Sequence, residues 1–513
     1  MGFGRILVAK WVDCEYNNRR LSQIKKDNSM VFSSLIFLYA FFSLSLAGYA
    51  LCRTQKQQNL VLLIFSLVFY AWGDPKYTLL LMFMALVSWF CASQVERQPE
   101  KGKLWVLLAS VIDIGLIGYF KYAGLICSIF GPVPEFVQKI ALPIGISFYT
   151  FQLLTYVVDV YRGDAQAQKS YWNVLLYAAL FHQCIAGPIV RYKTIDRELF
   201  SGEPRNPEWA PGVSRFCGGL AKKVLLANPC GALADSLILA DSVASDAAQF
   251  AANAEILRSI SVLGAWVGIG AYALHIYLDF SAYSDMAIGM GRMLGLHYLE
   301  NFNYPYLSRT VTEFWRRWHM SLGTFFRDYV YIPLGGSRCS KGRMIFNTFV
   351  VWALTGIWHG ASWNFLLWGL WFFLFLMLER FVLKKWLEKV PVISNVYLLV
   401  VVLIGWVIFR FTNVELVMTL VRSLFGANGN PLTSFTAEIQ LQSNQYLLLG
   451  SILASFPLAK NLRIWLEAYA NSHGALAKIW NICFYSIIPV ILLLLSTACL
   501  VGDSYNPFIY FQF

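Results

Sequence analysis

The chain has 513 residues, of which 58% are hydrophobic and only 14% charged, and its net charge is +12. Because ordinary soluble domains are nearer half apolar and a quarter charged, this composition excludes a water-soluble globule, a disordered chain and a secreted disulfide scaffold. The basic residues lie in short loops between apolar spans, as the positive-inside rule predicts, so they do not indicate nucleic-acid binding. We therefore predict a polytopic protein of the lipid bilayer, with room for roughly ten to twelve helices of about 20 residues each.

The chain begins with a polar segment, residues 1–29, which carries six Lys and Arg residues and lacks the layout of a signal peptide. Basic loops follow the first apolar span, 31–51, and the third, 77–93, which predicts that both loops face the cytoplasm. That orientation would place the basic segment outside, against the same rule. We therefore interpret residues 1–29 as an extension upstream of a true start at Met30.

Apolar spans of helical length recur along the rest of the chain, and they show no convincing internal repeat. They lie near 59–72, 104–122, 138–160, 171–190, 258–280, 344–358, 362–383, 393–412, 445–459 and 480–501. Two polar breaks, 195–212 and 426–445, do not separate two cores, so residues 30–513 are predicted to form a single membrane domain. The ten cysteines are scattered without a C-x-x-C pair, which is typical of packing residues and predicts neither disulfides nor a metal site.

Polar residues interrupt the apolar pattern most densely between positions 279 and 368, and ionisable groups at membrane depth usually mark function. His359 is the most informative of them, because no Asp, Glu, Lys or Arg occurs from Phe346 through Leu378. Burial there favours a neutral imidazole, which can act as a general base toward a hydroxyl or a thiol. A structural histidine that bridges two packed helices explains His359 equally well at this point.

His319 is the second candidate, on a helix where Arg316 and Arg317 indicate contact with an interface or water. Two histidines from separate segments suit acyl transfer, one as the base and one to orient groups or stabilise charge. Metal binding by the pair is not favoured, since no third ligand stands at H-x-x-x-H or H-E-x-x-H spacing. Two further histidines in apolar spans, His182 and His275, are interpreted as helix-packing residues.

Basic residues continue through the same region. Most of them are explained by the membrane topology alone, and the functional alternative is that they form an anion-binding mouth for a phosphate-bearing donor. They are Arg309, Arg316, Arg317, Arg327, Arg338, Lys341 and Arg343. Asp279, Asp285 and Asp328 are expected to pair with these arginines rather than to perform chemistry. The chain has no G-x-x-x-x-G-K-[ST] loop and no G-x-S-x-G elbow, which argues against ATP-driven pumping and a serine hydrolase.

Four blocks of this polar region resemble the membrane-bound O-acyltransferases, and within them the bacterial alginate and peptidoglycan O-acetyltransferase membrane components. The blocks are Glu300–Tyr306 (ENFNYPY), Thr312–His319 (TEFWRRWH), Phe326–Gly336 (FRDYVYIPLGG) and Trp358–Trp363 (WHGASW). The resemblance implies an all-α ring of about eleven or more transmembrane helices, with re-entrant segments around a central tunnel. It also matches His359 to the family's active-site histidine and His319 to its second histidine.

The same resemblance implies acetyl-CoA as a cytoplasmic co-substrate, with no bound cofactor. The acetyl group would cross the membrane to an extracytoplasmic SGNH-hydrolase-like partner that modifies a polysaccharide. We expect contacts to the donor or substrate from Asn303, Tyr304, Trp315, Arg316, Arg317, Arg327, Asp328, Tyr331, Arg338, Trp358 and Ser362.

The resulting hypothesis is an O-acetyltransferase of the bacterial inner membrane that acts on alginate, peptidoglycan or a similar polysaccharide. His359 would be its catalytic base and His319 the partner of that base. One alternative is D-alanyl transfer to teichoic acid from a carrier-protein thioester, which a neighbouring carrier-protein gene would distinguish. The other is a polysaccharide transporter or export subunit without chemistry, against which the lack of repeats and the isolated His359 argue.

Overall fold

A computed structural model describes residues 30–73, 75–131, 133–184, 187–239, 247–472 and 474–502. Within these ranges the chain forms helices and no β-strand, as the all-α prediction requires. The predicted N-terminal extension, residues 1–29, lies outside the described residues.

The helices follow one another with short connections. In the first half they are α1 (Ser43–Ala50), α2 (Gln55–Gly73), α3 (Pro75–Arg97), α4 (Gly102–Ile117), α5 (Ala123–Phe130), α6 (Glu135–Gln138), α7 (Ile146–Arg162), α8 (Tyr171–Ala179), α9 (Phe181–Cys184), α10 (Tyr192–Phe200), α11 (Trp209–Ala221) and α12 (Asn228–Leu237). In the second half they are α13 (Ala247–Ser259), α14 (Val262–Met293), α15 (Val311–Arg317), α16 (Met320–Phe326), α17 (Lys341–His359), α18 (Trp363–Leu378), α19 (Lys384–Leu387), α20 (Pro391–Arg410), α21 (Val414–Leu424), α22 (Phe435–Ser443), α23 (Gln445–Ala454), α24 (Leu458–Asn471), α25 (Gly474–Ile482) and α26 (Ile488–Gly502). Wider π-helical turns lie at Phe37–Phe42, Gly118–Tyr122, Lys222–Ala227, Arg327–Tyr331, Glu379–Leu383 and Cys483–Ile487, and 3₁₀ turns lie at Pro99–Lys101 and Pro305–Leu307.

Six of the described helices, counted with the turns that continue them, are long and apolar enough to cross a membrane. They are Pro75–Arg97, Pro99–Phe130, Val262–Met293, Trp363–Leu387, Pro391–Arg410 and Ala477–Gly502. The pair Gln445–Ala454 and Leu458–Tyr469, bent by 59°, adds a seventh if it forms one broken span. The multi-pass membrane architecture is therefore confirmed, whereas the expected number of eleven or more spans stays a prediction.

Some predicted spans are interrupted where the backbone leaves the helical conformation. In the predicted span 138–160 the helix begins only at Ile146, after Gly145 with a φ of 72°. The predicted span 171–190 is broken at Leu180, which separates α8 from α9. Because such residues end the ladder of helical hydrogen bonds, an apolar run of sufficient length does not always become one straight spanning helix.

Helix α14 occupies the centre of the molecule. Its apolar window is 72% buried, against 11% for the peripheral span Ala477–Gly502. The C-terminal half of α14 packs in an apolar cluster with the first half of the chain, and its N-terminal half packs in a second cluster with α20 and α21. The polar segment that follows α14 in the chain, residues 294–340, therefore starts from a fixed central helix, and it carries His319.

Candidate functional site

His319 lies at a break between the two short helices α15 and α16. Thr310 begins α15 with its side chain, whose oxygen accepts a hydrogen bond from Glu313 N at 3.0 Å. The φ of His319 is 43°, and Tyr304, with a φ of 48°, is the other non-glycine residue with a positive φ in the described part of the chain. Such a conformation costs about 1–3 kcal/mol and persists only where the surroundings impose it, so both residues mark a candidate functional site.

Asn301 holds the buried imidazole of His319 in one orientation. The Oδ1 atom of Asn301 accepts hydrogen bonds from Ser321 N at 3.2 Å and Ser321 Oγ at 2.9 Å, and it lies 3.1 Å from His319 Nδ1. A backbone N–H can only donate, so the amide atom that faces Ser321 N must be the oxygen. His319 Nδ1 then carries the hydrogen, which leaves Nε2 of the neutral ring as a proton acceptor.

His359 is placed by a close crossing of α17 and α18. A Cβ atom on Gly356 would lie 2.4 Å from the carbonyl oxygen of Phe365, and one on Gly369 would lie 2.3 Å from that of Trp352. Only glycine allows two helix backbones to approach this closely. The crossing therefore fixes the end of α17, where His359 is the last helical residue.

Aromatic rings surround the half-buried imidazole of His359. Its ring centroid lies 4.7 Å from that of Trp358, 4.8 Å from that of Trp368 and 5.1 Å from that of Phe409. Within the described residues neither ring nitrogen makes a hydrogen bond. The aromatic rings thus hold the orientation of this imidazole while they leave both nitrogens available.

Two side chains from the turn after α4 bind the carbonyl groups at the end of α17. Lys121 Nζ donates to Trp358 O at 2.5 Å and to His359 O at 3.4 Å, and Tyr122 Oη donates to Ile357 O at 2.7 Å. The last carbonyls of a helix have no partners within the helix, and they cannot be left unpaired away from water. Lys121 and Tyr122 therefore stabilise the backbone that carries His359.

Both histidines line one cavity of about 170 Å³. Trp358 contacts both imidazoles, since its ring centroid also lies 5.9 Å from that of His319. His319 Nε2 is buried and has no hydrogen-bond partner within the described residues. The remaining lining consists of Trp315, Trp318, Leu322, Gly323, Phe326, Val351, Trp352 and Thr355. A small apolar cavity with two convergent imidazoles has the character of a ligand-binding or active site.

The structure brings together only part of the predicted site. Trp315 lines the cavity and Trp358 contacts both histidines. Outside the lining lie Asn303, Tyr304, Arg316, Arg317, Arg327, Asp328, Tyr331, Arg338 and Ser362. Arg317 is paired with Glu313 at 2.7 Å, whereas Arg316 is exposed and makes no ion pair within the described residues.

Asp328 pairs with arginines, as predicted. Its carboxylate lies 2.6 Å from Arg191 Nη1 and 2.7 Å from Arg327 Nε. Burial alone would raise the pKa of the Asp328 carboxyl, but the hydrogen bonds and charges of Arg327 and Arg191 outweigh it and lower that pKa. Asp328 therefore stays ionised and neutralises two cations instead of donating a proton.

The prediction that Asp279 and Asp285 pair with the same set of arginines was wrong. Asp279 forms a fully buried ion pair with Lys223 at 2.7 Å. Asp285 pairs with Arg215 at 2.7 Å and with Lys222. These cations lie on α11 and on the π-helical turn that follows it, which pack along α14, whereas the predicted arginines follow α14 in the chain.

The helix-packing role is confirmed for His275, whose partner lies on a neighbouring helical turn, whereas the partner of His182 lies in the loop after α14. His275 Nδ1 bonds to Ala227 O at 2.8 Å, and His182 Nδ1 bonds to Tyr298 Oη at 2.8 Å. Among the residues that the structure describes, no group of three or more His, Cys, Asp and Glu side chains is placed to hold a metal ion.

The model of the membrane-bound O-acyltransferase family matches residues 39–421. The chain belongs to this family. It is 34% identical over 503 residues to the probable alginate O-acetylase AlgI of Pseudomonas putida, a match that covers 94% of this chain and 100% of that protein. It is 28% identical over 477 residues to the peptidoglycan O-acetyltransferase of Helicobacter pylori, a match that covers 84% of this chain and 87% of that protein. It is 25% identical over 256 residues to the teichoic acid D-alanyltransferase of Bacillus subtilis, a match that covers 48% of this chain and 60% of that protein. The predicted family is confirmed, and the protein is a multi-pass membrane acyltransferase.

Sequence reasoning missed four residues that position the histidines of this acyltransferase, namely Asn301, Ser321, Lys121 and Tyr122. Asn301 and Ser321 lie inside or beside the quoted blocks, but nothing in the sequence distinguishes Asn301 from Asn303. Lys121 offered a usable signal, because it is a charged residue in the apolar span 104–122. Its partner at His359 lies 238 positions away, so only the fold reveals what the charge contacts.

Proposed function

We propose that this acyltransferase is a membrane O-acetyltransferase that moves acetyl groups from cytoplasmic acetyl-CoA across the bacterial inner membrane, for O-acetylation of a polysaccharide such as alginate or peptidoglycan. The observation that carries the proposal is the pair of imidazoles that line one small apolar cavity. Similarity to an alginate O-acetylase over 94% of the chain supports the acetyl group and the class of acceptor. An extracytoplasmic SGNH-hydrolase-like protein is the partner that we expect to receive the acetyl group.

His359 is the general base of the proposed reaction. It takes the proton of the acceptor hydroxyl while that oxygen attacks the thioester carbonyl, and the C–S bond then breaks. The imidazolium returns the proton to the departing sulfur. Two features support this role: both ring nitrogens are available within the described structure, and the surrounding aromatic rings offer water no strong hydrogen-bond partner.

His319 orients the donor in the same cavity. With its hydrogen on Nδ1 directed to Asn301, the neutral ring presents Nε2 as a hydrogen-bond acceptor. An acceptor nitrogen in an apolar cavity binds an N–H group, and the pantetheine arm of coenzyme A carries amide N–H groups close to its thioester. His319 therefore holds the donor while His359 handles the hydroxyl proton. Loss of His319 should accordingly act mainly on KM for the donor.

D-alanyl transfer to teichoic acid from a carrier-protein thioester is the second candidate. The match to a teichoic acid D-alanyltransferase favours it, but that match covers 48% of the chain at 25% identity. The match to the alginate O-acetylase covers 94% of the chain at 34% identity. Both donors present a thioester on a phosphate-bearing arm, so the cavity suits either. A neighbouring gene for a carrier protein would favour D-alanylation, and one for an SGNH-like protein would favour acetylation.

Transfer from radiolabelled acetyl-CoA in proteoliposomes tests the proposal. The wild type, His359→Ala and the control His297→Gln are compared, with and without the soluble protein encoded next to the gene. We expect label to reach the partner or the glycan in the wild type and the control, and not in His359→Ala. Transfer from a D-alanyl carrier thioester alone would favour the second candidate. Saturable glycan flux without acyl transfer from either donor would overturn the enzymatic proposal.

A further inference from the structure

The lining of the cavity has one exposed residue within the described structure. This residue is Gly323, whereas Trp315, Val351 and His359 are half-buried and the other lining residues are buried. Gly323 lies on α16, and its N–H donates to His319 O at 3.1 Å, so it is one helical turn from His319. We therefore take Gly323 as the candidate opening of the cavity.

Neither backbone conformation nor packing requires glycine at position 323. The residue is helical, with no positive φ, and a Cβ atom there would meet nothing closer than Trp315 O at 3.9 Å. Gly356 differs, because a Cβ atom at that position would meet a carbonyl oxygen at 2.4 Å. Glycine inside a helix is about 1 kcal/mol less favourable than alanine. Within the described structure, the space of the missing side chain is therefore empty.

The backbone beside the opening leads into an exposed arginine. Trp315 O is the atom nearest to the open face of Gly323, so the peptide group between Trp315 and Arg316 lies beside the opening. Arg316 is exposed and makes no ion pair within the described residues, whereas its neighbour Arg317 is paired with Glu313. An exposed guanidinium attracts phosphate, and Arg binds phosphate with two parallel hydrogen bonds.

The cavity is small for a whole coenzyme. At about 170 Å³ it is similar to an engineered apolar cavity of about 150 Å³ that binds benzene. Ligand pockets that enclose a whole drug-sized molecule measure about 300–1,000 Å³. An acetyl group is smaller than benzene and an octanoyl chain is larger. The cavity thus fits a short acyl group with the end of its carrier arm.

We propose that the acyl donor, a short-chain thioester on a phosphate-bearing pantetheine arm, enters the cavity past Gly323, with Arg316 binding the phosphate. This inference rests on the proposed function and adds to it the donor's route and the limit on acyl length. The side chain of residue 323 sets the width of the opening, so alanine should be accepted and leucine should block the thioester.

Kinetics with acetyl-CoA, octanoyl-CoA and S-acetylpantetheine test this route. We expect the wild type to use acetyl-CoA well and octanoyl-CoA poorly. Gly323→Leu should lose at least about tenfold in kcat/KM for acetyl-CoA, and Gly323→Ala should lose less, since small misplacements of a reacting group have effects of this size. Gly115→Leu, on the exposed face of α4 where a Cβ atom also meets nothing within 4 Å, is the matched control and should be unchanged. Arg316→Gln should raise KM for acetyl-CoA but not for S-acetylpantetheine, which has no phosphate.

Thiol labelling tests donor access without relying on turnover. In Gly323→Cys, the introduced thiol should react with a maleimide and be protected by acetyl-CoA, while the exposed Cys339 and Cys499 react with and without donor. Peptide mass spectrometry distinguishes the three sites. Protection by a pantetheinylated carrier protein, and not by acetyl-CoA, would support the route past Gly323 and identify the carrier protein as the donor.

Two results would overturn the route while leaving the proposed function intact. One is acetyl transfer by Gly323→Leu at the wild-type rate; the other is labelling of Gly323→Cys that saturating donor does not change. Absence of acetyl transfer by the wild type would instead count against the proposed function. Protection of the introduced thiol would still report whether the donor binds at this opening.

Discussion

The two histidines of the cavity are held in opposite ways. His319 is buried with one polar side, where Asn301 and Ser321 contact its Nδ1, and its backbone is left-handed. His359 is half-buried among aromatic rings, without a hydrogen bond to either ring nitrogen in the described structure, and only its backbone is bound, by Lys121. Each arrangement constrains a different property of an imidazole.

Hydrogen bonds determine which nitrogen carries the proton, whereas ring packing determines only where the imidazole points. The surroundings of His319 therefore make it a fixed acceptor, suited to hold a ligand group in one orientation. Those of His359 fix the position of the ring but leave both nitrogens without a hydrogen bond in the described structure, so a proton can bind and leave, as a general base requires in each cycle. This difference supports the division of roles in the proposed reaction.

Removal of each imidazole gives the largest expected effects and separates the two roles. His359→Ala should lower kcat by about 10²–10⁴-fold, the usual contribution of a general base. His319→Ala should mainly raise KM for acetyl-CoA. Steady-state kinetics in proteoliposomes measure both. An equal loss of kcat in His319→Ala, with no change in KM, would reverse the assignment.

Loss of the amide that orients His319 should have the next largest effect. Asn301→Ala frees Nδ1 and allows the other tautomer, so activity should fall about 10–100-fold, as it does when the hydrogen-bond partners of ligating histidines are removed. The control is Asn303→Ala, two positions away on the same loop and exposed, which should retain activity. Kinetic measurements with thermal unfolding of both variants check this, and equal activity of the two would remove Asn301 from the site.

The backbone contact of His359 should matter less than the side-chain contact of His319. Lys121→Met leaves the carbonyls of Trp358 and His359 without their donor, and we expect kcat to fall about tenfold, because an unpaired buried group costs about 1–3 kcal/mol. Lys121→Arg should restore most of the activity. Lys139→Met, which removes an exposed lysine paired with Glu135, is the control. A loss of stability with unchanged kcat would limit Lys121 to a structural role.

The smallest expected effect concerns His297, which lies outside the cavity and serves as a reference for an ordinary histidine. Burial lowers its pKa, but hydrogen bonds to Glu198 and Glu208 outweigh this and raise the pKa above the usual value. Protonated His297 therefore stabilises the folded state fully below the pKa that this histidine has in the unfolded chain. The stabilisation disappears as the pH rises through the higher pKa of His297 in the folded protein. Unfolding temperatures of the wild type and His297→Gln should differ at pH 5.5 and converge near pH 8.5, without a change in kcat. A difference that is constant with pH would contradict the role of these hydrogen bonds.

The cavity of the two histidines and the basic residues around it also differ in how far the sequence alone predicts them. Both histidines, Trp315 and Trp358 stand out as polar or aromatic residues in an apolar region. The structure places the histidines and Trp315 in the lining of one cavity, with Trp358 against both imidazoles. The basic mouth stays a prediction, and two of its members, Arg317 and Arg327, are engaged in ion pairs. Charge counts do not show which cations are already neutralised, because their partners come from distant segments.

The sequence by itself determined the membrane class, the family and the two histidines, because composition and short motifs depend on residues that are close together in the chain. Only the tertiary structure decided that Asn301 orients His319, that Lys121 binds the end of α17 and that Gly323 lines the cavity. The physical reason is that a hydrogen bond or a cavity is made by atoms within a few ångströms in space. Lys121 and His359 meet across 238 positions of sequence, and no local pattern encodes such a meeting.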